Sequence, residues 1–252
     1  MIHARVSRFV AATVVLLGCG QAMAWHGPGH DKAARAAVEA LPPEARKGFA
    51  AGADIIANAA LDPDTFTRPI APDTIHRAES PEHYFDIEML DGAKLPTQRY
   101  DMLKLIYSRD LRPDRVGLLP YAIQEWQQRL TVALAEYRRW PTNDAVRVKA
   151  MVYAGLMSHY SADLCQPLHT TIHYDGWTDG PHPAPKGIHL KVDALGGKIA
   201  DSPAELARGL KPTTMPDVFA GVVAEFDKSH ALVERVYELA PQIPAYEAPL
   251  KQ

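Results

Sequence analysis

Prolines cut this 252-residue chain into helix-sized pieces. Proline lacks an amide hydrogen and its ring clashes with the preceding turn, so it sits at the ends of helices rather than inside them. Pro42-Pro43, Pro141, Pro167, Pro216 and Pro241 therefore mark boundaries. Between them run strong helix formers or apolar residues at helical spacing. These stretches cover 31–41, 43–60, 97–109 and 120–139, then run from the capping residues Thr142-Asn143-Asp144 to about 165, and resume over 187–195 and 216–239. In the last of them, Val218, Phe219, Val222, Val223 and Phe226 fall at helical spacing. Two stretches, 61–97 and 170–186, hold prolines or glycines without a period and read as long loops. Segments of that length in a compact domain often carry function. No useful alternation of apolar and polar residues points to a strand, and no internal repeat is visible. The expectation is an all-α architecture, a single compact multi-helix domain over 25–252 with long proline-rich loops.

Residues 1–24 have a different composition. Arg5 and Arg8 precede a short apolar run from Phe9 to Leu17, and Ala22-Met23-Ala24 suits a small-x-small cleavage site. That pattern is a secretory signal peptide, too short in its apolar part to span a bilayer comfortably. Leu16-Leu17-Gly18-Cys19 weakly resembles a lipoprotein box, so lipid anchoring at Cys19 is the lesser alternative. The expected protein is exported, periplasmic or secreted, without a transmembrane segment and with no protein partner implied. Loss of two arginines and no acids leaves 25 basic against 30 acidic side chains, formally −5. A chain of that charge does not hold nucleic acid by bulk electrostatics, so positive charge presented to a phosphate must be local. Cys165 would remain as a lone thiol, expected to be packed on a buried helix rather than reactive.

The chemistry concentrates in His159-Tyr-Ser-Ala-Asp163-Leu-Cys-Gln166-Pro167-Leu-His169. His159 and Asp163 are four apart and share one helix face. Pro167 stops that helix, and the following turn can bring His169 back toward the same place. Two imidazoles and a carboxylate converging in this way suit a metal, zinc by preference. His189 and Asp193 repeat the spacing, and upstream lie Asp62-Pro63-Asp64, His83-Tyr84-Phe85-Asp86 and His30. Cleavage after Ala24 would give Trp25 a free α-amino group, itself a metal ligand when deprotonated.

These elements together resemble a known superfamily. Trp25-His-Gly-Pro-Gly-His30 is similar to the mature start of the fungal and plant single-strand-specific nucleases, relatives of the bacterial zinc-dependent phospholipases C. His159, Asp163, Gln166, Pro167 and His169 match the family's central motif. His189 and Asp193 match its last ligand pair, and Pro63-Asp64 with His83-Tyr84-Phe85-Asp86 match its upstream elements. The resemblance spans 25–193 in the family's order. It implies a helical fold around a cleft with three zinc ions. One would be held by the amine and carbonyl of Trp25, by His30 and by Asp163. A close neighbour would be held by Asp64, His83, His159 and the other oxygen of Asp163, and a third by His169, His189 and Asp193. Asp64 would also orient or deprotonate the attacking water, with Asp62 as the alternative to it. Tyr84 and Asp86 would contact substrate, the tyrosine by stacking on a base. The competing reading makes Tyr84 and Phe85 core aromatics.

The implied activity is phosphodiester hydrolysis, of single-stranded nucleic acid or 3′-nucleotides first. A phospholipase C acting on phospholipid headgroup esters is the alternative. Val192, where the nucleases have tryptophan, and Gly187-x-His189-x-Lys191 lean toward the phospholipases. The short spacing from Trp25 to His30 and the final aspartate lean toward the nucleases. An exported zinc-binding protein without turnover would use the same ligands. His26, His76, His173, His182 and His230 match no ligand position, and Trp126 and Trp140 are expected to pack.

Overall fold

The computed structural model describes residues 26–246. The expected signal segment, Cys19, Trp25 and the end of the tail lie outside the described residues. Helices dominate. α1 (His26–Ala40), α2 (Pro43–Ala50), α3 (Ala53–Ala59), α4 (Asp62–Phe66), α5 (Asp73–Glu79), α6 (Arg99–Ser108) and α7 (Pro113–Val116) precede the long pair α8 (Leu119–Arg139) and α9 (Asp144–Leu164). After them come α10 (Ile188–Lys198), α11 (Pro203–Ala207), α12 (Val218–His230) and α13 (Val233–Leu239). Short 3-10 turns cover Ser80–His83, Ile87–Leu90, Pro167–His169 and Ala240–Gln242. Among the described residues, extended pairing is limited to two isolated bridges, Phe85 with Gly117 and Trp177 with Ala184. The fold is all-α.

α8 and α9 form the central hairpin, joined by a short link and packed on each other. Asn143 caps α9, its Oδ1 accepting from the amides of Ala145 (3.1 Å) and Val146 (3.3 Å). α1 and α3 lie against α9, where Ala34, Val38, Ile56, Ala60, Leu130 and Met151 form one core. In a second core α12 packs on α8 and α9, burying Phe219, Val222 and Phe226 with Phe85, Met102, Ile106, Leu119 and Tyr121. Full burial of a side chain such as Phe226 contributes about 1.5–3 kcal/mol.

The departures from the sequence reading have local causes. The expected helix over 43–60 is two helices, α2 and α3, separated at Ala51-Gly52. A Cβ on Gly52 would stand 2.7 Å from the Met151 side chain, so glycine at this break lets the chain pass close to α9. The expected loop over 61–97 contains α4, α5 and two 3-10 turns, too short to show a helical period in the sequence. The expected helix over 216–239 breaks at Ala231-Leu232, because its two halves serve different cores. Phe226 packs with Phe85 and Tyr121, whereas Val233 and Tyr237 pack with Leu168 and Ile188. Cys165 is exposed rather than packed. It caps α9 two residues after buried Asp163, which turns it about 200° round the helix axis and away from that face. Trp126 packs edge-on against Tyr153, but Trp140, just past the end of α8, is half exposed.

Candidate metal centre

Five imidazoles and three carboxylates converge from six parts of the chain, and all eight residues are buried. His30 comes from the first turns of α1, and Asp64 from α4, soon after α3 ends against α9. His83 ends a 3-10 turn. His159 and Asp163 stand one turn apart on α9, and His169 ends the 3-10 turn that Pro167 begins. His189 and Asp193 stand one turn apart on α10. These eight fall into three groups whose donor atoms lie close enough to hold a metal ion. The first is His30, His159 and Asp163, the second Asp64, His83 and His159, and the third His169, His189 and Asp193. Trp25, the ninth expected ligand, lies outside the described residues. Asp64 is buried in the cluster, whereas Asp62, weighed as its alternative, is exposed.

Asp163 faces two ways. Its Oδ1 is 3.4 Å from His30 Nε2, while its Oδ2 is 3.0 Å from His83 Nδ1 and 3.2 Å from His159 Nε2. The His30 and His159 rings stack at 3.9 Å. In the third group, His189 Nε2 lies 3.1 Å from both His169 Nε2 and Asp193 Oδ2.

Outer partners fix most of these rings. Backbone carbonyls accept from the Nδ1–H of His159 (Ala60, 2.7 Å), His169 (His83, 2.5 Å) and His189 (Tyr174, 3.1 Å). A carbonyl only accepts, so each Nδ1 is the protonated nitrogen and each Nε2 carries a lone pair toward the cluster. Gln166 plays the same part for the last carboxylate. Its Nε2 donates to Asp193 Oδ1 at 2.7 Å, and its Oε1 accepts the Leu168 amide at 2.6 Å. In the sequence Gln166 stands only as part of a motif; its role in aiming Asp193 emerges from the folded turn.

The donor set fits a cation. Asp64 Oδ2, Asp163 Oδ1, Asp193 Oδ2 and His83 Nε2 are buried without a hydrogen-bond partner. Unpaired buried carboxylate oxygens are costly unless a positive charge meets them. The protein's own charges satisfy the site unevenly. Burial raises Asp64 to about 6. Burial also lowers His159 to about 4, with help from neighbouring His30. At His83 burial opposes the charged ring, yet Asp163 and Glu79 outweigh it and push the imidazole up to about 10. Imidazole and carboxylate together are the donor chemistry of zinc and related divalent ions.

Four cluster residues, Asp64, His83, His169 and His189, open onto a cavity of about 580 Å³, in the range of small-molecule sites. Tyr84, Met89, Leu168 and Tyr174 contribute walls, and among the described residues Arg115 is the one lysine or arginine lining it. Tyr84 Oη donates to the Asp114 carbonyl at 2.8 Å, which holds the ring at the cavity side. Phe85, by contrast, is fully buried in the core, so the two neighbouring aromatics divide the roles. Asp86 also lines the cavity, and burial, with Glu88 nearby, raises it to about 7. The extended segment bearing these residues is tied on both sides. The Phe85 amide donates to the His169 carbonyl (2.8 Å), and the Asp86 amide to the Val116 carbonyl (2.7 Å). Gly117 sits at φ +82°, where a Cβ would collide with the Tyr84 carbonyl, so only glycine permits this approach.

Of the remaining histidines, His76 lines the cavity and His173 stacks on Trp177 at 4.2 Å. His182 and His230 face Glu234 and Glu88 at 3.9 Å. No family model, curated protein or solved structure matches this chain. Among the described residues no helix is long and apolar enough to cross a membrane.

Proposed function

We propose that this protein is a zinc-dependent phosphoesterase that hydrolyses phosphodiester bonds, with single-stranded nucleic acid or 3′-nucleotides as its substrates. The observation that carries the reading is three buried His/Asp groups, two of them sharing His159, of which the second and third open onto one cavity with an aromatic side and one arginine. His30 and Asp163 would hold one zinc, with the Trp25 amine completing it after signal removal. Asp64, His83, His159 and Asp163 would hold a second, and His169, His189 and Asp193 a third. Bound zinc supplies Lewis acidity and makes water a nucleophile near neutral pH.

The chain's own residues supply the rest. Asp64 carries a carboxylate oxygen without a hydrogen-bond partner beside the cavity, suited to orienting a water and taking its proton. Tyr84, held by its bond to Asp114, offers a face on which a base stacks, a contact tolerant of sequence. Asp86 can hydrogen-bond a base edge, and Arg115 supplies the local positive charge that the acidic chain otherwise lacks.

A second reading has its own support. Ile172 lines the cavity and is 42% exposed, and Ile70 and Ile75, 87% and 43% exposed, belong to the segment between cavity residues Thr67 and His76. Exposed apolar side chains at a cavity mouth suit a phospholipid surface and a phospholipase C. Assays of the zinc-loaded protein on single-stranded DNA and on phosphatidylcholine vesicles separate the two. Release of nucleotides without diglyceride supports the nuclease, and the reverse supports the lipase. Zinc uptake equal in the wild type and Asp64→Asn, with no hydrolysis of either substrate by either protein, would leave an exported zinc-binding protein.

A further inference from the structure

His83 is oriented differently from its neighbours. His159, His169 and His189 turn Nε2 inward and bond Nδ1 to a backbone carbonyl. In His83 it is Nδ1 that faces the cluster, 3.0 Å from Asp163 Oδ2 and 3.1 Å from His159 Nε2. Its Nε2 points the other way, to Glu79 Oε1 at 3.6 Å, and has no partner at hydrogen-bond length. Glu79 ends α5, four residues before His83, and its side chain is largely buried. It accepts a hydrogen bond from Tyr160 Oη, and Tyr160 follows His159 on α9. The nearby Glu82 is engaged elsewhere, with both oxygens on Arg99 at 2.6 and 2.7 Å.

We propose that Glu79 is a positioning residue for the metal site, accepting from His83 Nε2–H and thereby fixing Nδ1 as the metal-facing nitrogen, with Tyr160 holding the carboxylate in place. The proposal rests on the reading that the cluster binds metal. The 3.6 Å separation is longer than a hydrogen bond, and a ring shift of less than about 1 Å closes it. A carboxylate outer partner makes an imidazole a stronger donor than a carbonyl does, and losing such a partner weakens metal binding roughly 10–100-fold. Glu79 belongs to no ligand motif. Its distinguishing feature is spatial, because it stands behind a ligand ring on the side away from the cluster.

The test is Zn2+ titration of the full chain against a competing chelator, for the wild type, Glu79→Gln, Glu79→Ala and Tyr160→Phe, with nitrogen-15 spectra of His83. The expected result is a roughly 10–100-fold weakening of one zinc site in Glu79→Ala, with affinity unchanged at the His169, His189 and Asp193 site. Glu79→Gln, which keeps an acceptor oxygen without its charge, falls between, and Tyr160→Phe gives a smaller loss. His83 in the zinc-loaded wild type carries its proton on Nε2. Should the alanine variant fail to fold, Glu79→Gln decides. Unchanged zinc affinity in both Glu79 variants, or a His83 proton on Nδ1, overturns the proposal while leaving the metal site standing. A wild type that takes up no zinc overturns both.

Discussion

Asp163 is where the residue chemistry is most concentrated. A carboxylate has two acceptor oxygens, and here each faces a different histidine set, His30 on one side and His83 with His159 on the other. Substitution therefore removes a shared wall rather than a single ligand. Asp163→Ala is expected to lower zinc content by two ions per chain, and His169→Ala by one, when each is measured by elemental analysis after gel filtration. Equal losses in the two variants would contradict the shared role. The residues of the cluster were legible in the sequence because chemistry and spacing coincide there, and eight of the nine expected ligands meet in three groups that could hold a metal ion. Glu79 was not legible, since a glutamate four positions from a histidine is ordinary until α5 is folded toward α9. The roles of Ala60, Tyr174 and the His83 carbonyl were beyond any reading of side chains, because it is their backbone oxygens that hold the rings.

Among elements, the contact of α3 with α9 positions His159, the residue that two of the groups share. A Cβ on Gly155 would collide with the Ile56 carbonyl and stand 2.7 Å from Ala59 Cβ, so α9 meets the α3 backbone directly at this glycine. The close approach sets Ala60, just past α3, to receive His159 Nδ1 one turn further along α9. Gly155→Ala must push the helices apart. It is expected to destabilise the fold by roughly 1–3 kcal/mol, a fall of several degrees in the thermal midpoint. The zinc site containing His159 should weaken as well. Calorimetry with zinc titration checks both, and a stable variant with unaltered zinc affinity would refute the coupling. The long helices α8 and α9 were foreseen to within a residue or two, since proline and a capping asparagine bound them. α4 and α5 were not, because elements of five and seven residues carry too few turns for periodicity to appear, and tertiary contacts decide their conformation.

On the scale of the whole molecule, the cluster ties α1, α9 and α10 to the irregular segment between α3 and α6. Three separate apolar cores accompany it, and its three buried carboxylates each keep an oxygen without a hydrogen-bond partner. Holding those charges together without a counter-ion works against folding, so bound metal should carry a large share of the stability. Each independent site at a hundredfold its Kd adds about 2.7 kcal/mol, about 5–10 °C in thermal midpoint for a chain of this size. Chelation is therefore expected to lower the midpoint by at least that amount, and re-addition of zinc to restore it. A midpoint indifferent to chelator would contradict a structural role for the metal. The all-α class was readable because proline punctuation forbids long strands as firmly as it bounds helices. The division into three cores was not, because the apolar face of a helix does not state which partner it will meet.

His83 turns its ring to Asp163 and His159 and accepts from His169 Nδ1 at 2.5 Å through its carbonyl. Its imidazole serves the second group, and its main-chain carbonyl serves the third, so a turn of the ring reaches one group and a shift of the backbone reaches both. The second and third groups are therefore coupled through the backbone at His83. An engineer who wished to tune metal preference at the His169 group would need to leave the peptide at His83 untouched, and a side-chain library confined to His169, His189 and Asp193 would never sample the backbone that aims the His169 ring.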